Sequence, residues 1–157
     1  MRHVLLALLA ATLVACSPGV GGAAAAASKA VHPDSGLEVV PLTVTSASGT
    51  HRFRVEVARS SMEQAKGLMF RTKLGPDEGM IFPMNPPRGA SFWMKNTVIS
   101  LDLIFVAPDG RISNIAANAV PYDLNPLISI GQVKGVLEIP GGRAAELGIA
   151  PGDKVAW

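Results

Sequence analysis

Within five residues, Trp93-Met94-Lys95-Asn96-Thr97 sets a broad aromatic face, a cation and an amide that both donates and accepts. Those are the parts of a site for a polar ligand. In an extended strand Trp93, Lys95 and Thr97 would share one face, with Met94 and Asn96 on the other. A plainer arrangement uses the same residues for folding, with Trp93 and Met94 in the core, Lys95 reaching to solvent and Asn96-Thr97 shaping a turn. Arg71 directly follows Met69-Phe70, and a permanently charged fork leaving an apolar segment needs a carboxylate or phosphate partner if it is buried. Asp102 stands at the start of an apolar stretch and Glu138 lies inside Val136 to Ile139. A carboxylate among branched aliphatics is either paired or has its pKa raised. Two arrangements follow: Arg71 or Lys95 bridges to Asp102 or Glu138 as a structural ion pair, or Arg71, Trp93, Lys95, Asn96, Asp102 and Glu138 line one cavity.

Asp102 and Glu138 would also serve as the acid and base of a hydrolase, provided the two carboxyls flank a scissile bond. Met62, Met69, Met80, Met84 and Met94 cluster in sequence, so copper(I) held by thioethers is a further possibility, against the ordinary use of methionine to fill irregular cores. Other chemistry is excluded by composition. Cys16 is the single cysteine, and His3, His32 and His51 are the only histidines. A folded domain beyond Cys16 therefore has no disulfide, no thiol nucleophile and no cysteine-ligated zinc. With His3 in a leader and His32 in a linker, a Ser-His-Asp triad would have to draw on His51, and a multi-histidine metal site cannot be assembled. No metal and no cofactor is expected.

The first fifteen residues, with Arg2, an apolar run from Val4 to Leu9 and small residues before Cys16, have the layout of a secretory signal too short to span a membrane. Leu13-Val14-Ala15-Cys16 resembles a lipobox. That implies acylation of Cys16 and a membrane anchor, and Ser17 in the next position implies the periplasmic face of the outer membrane. Residues 16 to 36 are rich in Ala, Gly and Ser and read as a flexible tether spanning roughly 25 Å on average. Residues 37 to 157 are then one domain with one core. The net charge of +2 carries no basic cluster, which argues against a nucleic-acid partner.

The elements that must position these residues are short. Val40, Leu42 and Val44 alternate with polar residues, as do Phe53, Val55 and Val57, so both segments read as half-buried strands joined by a turn at Ser46 to Gly49. Pro41 places the first of them on an edge. Ser60 with Glu63 forms a capping-box signal for a two-turn helix closed by Gly67. Leu101 to Val106 reads as a central strand, turned by Pro108-Asp109-Gly110 into Arg111 to Ala116. Strands at Val136 to Ile139 and Lys154 to Trp157 enclose a short helix from Arg143 to Leu147. Pro83 to Ala90, with three prolines, should be an exposed loop. Gly and Pro number 16 and 12, a count that suits short strands and many turns. The expected fold is mainly β, a compact antiparallel β-sandwich or barrel with one or two short α-helices.

Gly67-Leu68-Met69-Phe70-Arg71, Gly79-Met80-Ile81-Phe82 and Phe92-Trp93-Met94-Lys95-Asn96-Thr97, followed by Leu101 to Phe105, Pro108-Asp109-Gly110, Val136 to Pro140 and Gly152-Asp153, together resemble the signature of the family known as domain of unknown function 192. The resemblance covers about residues 50 to 157 and implies no particular reaction. The residues favour a non-catalytic binding module for a small polar or anionic ligand, or for a segment of an envelope partner, through Arg71, Trp93, Lys95 and Asn96.

Overall fold

Alternation along the chain decides the architecture, because residues two apart on a strand share a face. The computed structural model describes residues 30–157. The expected signal peptide, the lipidated Cys16 and most of the tether lie outside the described residues. Strands β1 (Val39–Ser46), β2 (Gly49–Val57), β3 (Glu78–Arg88), β5 (Leu101–Val106), β6 (Ile112–Ala119), β8 (Val133–Pro140) and β9 (Lys154–Ala156) form one sheet in the order β6-β5-β8-β3-β2-β1-β9. Every pairing is antiparallel except β2 with β3. The sheet curls into a half-barrel. Its two ends meet where Arg111 bridges Lys154 and the Val155 amide donates to the Gly110 carbonyl at 2.8 Å. Of the two architectures expected, the barrel is therefore the nearer description. A second sheet pairs β4 (Ser91–Phe92) with β7 (Leu127–Ile128).

Two layers of apolar side chains use the two faces of the large sheet. Inside the curl, Leu42, Val44, Phe53, Val55, Ile81, Ile104, Leu137, Ile139 and Val155 pack together, drawn from strands all the way round. On the outer face of the central strands, Met80, Phe82, Leu103, Phe105 and Val136 are covered by Leu68, Ala90 and Met94 from the intervening segments. Strand β5 is buried along its whole length, as its unbroken apolar sequence requires of a central strand covered on both faces.

Helix α1 (Ser61–Lys66) has the expected capping box, with Ser60 accepting from the Glu63 amide and the Glu63 carboxylate accepting from the Ser60 amide. Gly67 ends it at φ 48°, a conformation that favours glycine. Helix α2 is one turn, Arg143–Glu146.

Three local expectations need correction. Pro83 to Arg88 is not a loop but the end of β3, and the three prolines show instead as a register shift against β8 between Pro83 and Arg88. A residue without an amide hydrogen cannot continue the ladder, yet it can remain extended. Strand β1 is not a free edge. However, β9 pairs only with Thr43 to Thr45, so Pro41 lies beyond that pairing. Residues 30 to 36, expected in the tether, fold back on the domain, with Val31 bridged to Glu38 and the Val39 amide donating to the Ala30 carbonyl at 2.7 Å.

Candidate ligand pocket

The six residues singled out by their chemistry do not converge. Asp102 and Glu138 sit on neighbouring strands, but Asp102 pairs with Ile139 and Glu138 with Leu103, so their side chains leave opposite faces of the sheet. Asp102 is wholly buried. It accepts from three main-chain amides, Asn118 at 2.7 Å and Gly142 at 2.9 Å on one oxygen and Ala144 at 2.8 Å on the other. Its work is to hold the irregular end of β6 at Asn118 and the start of α2 against the first residues of β5. A hydrolase built on Asp102 and Glu138 is thereby removed, since no bond can lie between carboxyls on opposite sides of a packed sheet.

Arg71 is paired with neither of the expected acids. One of its guanidinium nitrogens reaches both oxygens of Glu56, at 2.8 and 2.9 Å. Ser35 donates its hydroxyl to the same carboxylate, and His32 Nε2 lies 3.7 Å from it and 3.3 Å from Arg71. Glu56 had the appearance of an outward position on an alternating strand. It does face outward from the curl, but residues 32 to 37 and Arg71 cover it to 3% exposure. Alternation reveals the face a residue occupies and not what another part of the chain lays over it. His32, expected in a linker, belongs to this buried cluster. His51 stands on the β1–β2 hairpin, with Nε2 3.0 Å from Ser48 and 3.1 Å from Ser46.

Trp93 to Thr97 is a turn rather than a strand. The Thr97 amide donates to the Met94 carbonyl, and Asn96 adopts φ 55°. Met94 is core, as the plainer arrangement had it, but Trp93 is half exposed and Lys95 Nζ stands 5.3 Å above its ring. The turn gathers two other strained loops. Phe70 and Tyr122 both have φ 64° and donate their amides to the carbonyls of Asn96 and Thr97, while the Asn96 amide group approaches Met69 sulfur at 3.9 Å. Bulky residues rarely hold this conformation, and such strain gathers at functional sites. Phe70, Trp93 and Tyr122 are all left largely exposed.

Beside this turn lies a cavity of about 330 Å³, at the lower end of the range for small-molecule sites. Gly67, Leu68 and Met69, then Phe82, then Phe92, Trp93 and Thr97, and finally Glu138 contribute to its lining. Four separate segments of the sequence thus meet there. Phe92 is held by the β4–β7 pairing and by edge-on contacts with Phe82, at 5.0 Å, and Phe105, at 6.4 Å. Lys66 and Arg88 stand exposed among the lining residues. Glu138 is 5% exposed, and no donor among the described residues bonds its carboxyl. Burial pushes that carboxyl up to about 8, because removing the charged form from water is unfavourable when nothing replaces the lost hydration. Of the expected site residues, only Trp93 and Glu138 line this cavity. Phe82, Met84 and Phe92 were missed as site residues, because apolar residues in strands carry no signal separating core from cavity wall.

Met80, Met84 and Met94 are buried in the outer layer, Met62 is exposed, and only Met69 and Met84 line the cavity. Most of the methionines therefore serve as packing, and the set does not meet at one point.

These features define a curled β domain whose outer face is covered by loops around a small pocket. The chain belongs to the DUF192 family, described as "Uncharacterized ACR", whose model matches residues 43–157. It is similar to a crystal structure of a protein of unknown function from Novosphingobium aromaticivorans DSM 12444, at 67% identity and TM-score 0.81, covering 84% of this chain and 94% of that one. It is also similar to a protein from Sinorhizobium meliloti 1021 described as a "putative transcription regulator", at 38% identity and TM-score 0.74, covering 76% and 94%. No curated protein matches the chain.

Proposed function

We propose that the protein is a non-catalytic binding module whose site is the cavity floored by Glu138 and rimmed by Trp93. The observation that carries this reading is the Glu138 carboxyl, nearly buried, without a protein partner, and lining a pocket of mixed aromatic and polar character. A carboxyl held almost out of water without a protein partner costs stability, and a ligand that bonds it would recover part of that loss. The reading replaces the site expected around Arg71 and Asn96. Arg71 is neutralised by Glu56, and Lys95 rests against Trp93.

We place the domain on a lipid tether at Cys16 in the cell envelope, on the strength of the N-terminal sequence. Among the described residues no helix is long and apolar enough to cross a membrane. Nucleic-acid binding, raised by the description of the Sinorhizobium relative, draws little support from charge. Beyond residue 29 twelve Lys and Arg face twelve Asp and Glu, whereas duplex binding rests on a basic surface.

The test is a set of amide-shift titrations with pools of small amines, carboxylic acids, sugars and short apolar peptides. Binding that moves the Phe92, Trp93 and Glu138 resonances, and that Ala90→Phe blocks by filling the pocket, supports the reading. An intact fold that responds to no pool overturns it.

A further inference from the structure

We propose that the pocket takes an organic ammonium group carried on an apolar body, with the cation against Glu138 and the body among Phe82, Phe92 and Trp93. This deepens the proposed binding function and rests on it.

The walls select for such a ligand. Phe82, Phe92 and Trp93 present aromatic rings, whose faces attract cations, and Met69 and Met84 add polarisable sulfur. The Gln64 side-chain nitrogen, from α1, is already committed to the carbonyls of Ala58 at 3.1 Å and Pro83 at 2.9 Å. The Thr97 hydroxyl is committed to the Lys95 carbonyl. Glu138 is thus the acidic group in the lining and has bonding capacity to spare. An ammonium supplies several donors and the counter-charge that the buried carboxyl lacks. Among the described residues Glu138 is the one Asp, Glu, His or Cys in the lining, too few ligands for a bare metal cation, and an ammonium must pass the exposed Lys66 and Arg88 before its charge reaches Glu138. A wholly apolar ligand would leave the carboxyl unpaired. An anionic one gains no ion pair from Glu138, which is mostly protonated at neutral pH and repels an anion once ionised.

The proton balance is definite. At neutral pH most free pockets hold Glu138 protonated, and an ammonium pairs with the ionised form. Binding therefore releases the carboxyl proton to solvent while the ligand keeps its own. Affinity should rise about tenfold between pH 6 and 7 and level off above pH 8. A ligand that only accepts a hydrogen bond from the neutral acid shows the reverse trend.

Calorimetry of the full chain with benzylammonium, benzyl alcohol and benzoate, in two buffers of different ionisation enthalpy at pH 7 and pH 9, separates these cases. The expected result is preferential binding of benzylammonium, with close to one proton released per ligand at pH 7 and few at pH 9. In Glu138→Gln, which keeps the shape and removes the charge, benzylammonium should weaken more than tenfold while benzyl alcohol is unaffected. Preference for the alcohol or the benzoate, or benzylammonium binding without proton release, overturns the ammonium assignment and leaves the binding module standing. Binding of none of the three, together with silence from every pool above, overturns both.

Discussion

Glu56 and Glu138 lie on the same face of the sheet, one on each side of Met80, with which both are in register. Each is nearly buried. Arg71 closes over Glu56, and no cation among the described residues closes over Glu138. One face thus holds a neutralised carboxylate and one without a protein partner, with β3 between them, and the two respond differently to substitution.

Removing Arg71 leaves Glu56 buried with its main partner gone, which typically costs about 3–5 kcal/mol. Arg71→Met should lower stability by roughly that amount in urea unfolding. The double change Glu56→Leu with Arg71→Met should recover much of the loss, because an apolar pair leaves no uncompensated charge. Equal losses in the single and double variants would show that packing rather than charge governs this corner.

Glu138 makes stability fall as pH rises. Its folded pKa, pushed up to about 8, lies above the unfolded value of 4.5. The folded protein therefore binds more protons than the unfolded chain between those two values. The stability tied to the retained proton is complete below about pH 4.5 and is lost as pH climbs to about 8, at up to about 1.4 kcal/mol per unit. Glu138→Gln should flatten that part of the profile and leave the variant more stable than the parent at pH 9. Parallel curves for the two proteins from pH 5 to 9, in denaturant titrations, would contradict this.

Asp102→Asn should be damaging despite its shape. The carboxylate accepts from three main-chain amides, and an amide nitrogen in place of either oxygen faces at least one of them as a second donor. A loss of roughly 2 kcal/mol is expected for a buried mismatch of this kind. Hydrogen exchange should quicken at Gly142 and Ala144, at the α2 start, more than in β1 and β2.

Gly79 lies where β3 runs close against β8. A Cβ there would collide with the main-chain carbonyl of Glu138, and backbone cannot rotate away as a side chain can. Gly79→Ala should cost about 1–3 kcal/mol or more and disturb the pocket through Glu138. The check is the Glu138 amide shift alongside the melting temperature. An unaltered shift would mean that the strands separate elsewhere.

Local pattern and tertiary contact determined different things about this protein. Residues close in sequence dictated the mainly-β class, the Ser60–Glu63 cap, the buried β5 and the turn at Gly110, because a strand's two faces and a helix's first turn are settled within a few positions. The family was legible for the same reason, in short motifs. The partner of Arg71, fifteen residues away at Glu56, was not, because the curl of the sheet and the return of residues 30 to 37 turned an outward position into a buried one. Nor could the sequence reveal that Asp102 and Glu138 part to opposite faces. The relative register of β5 and β8, strands far apart in sequence, decides it, and that register follows from side chains packing on both faces at once.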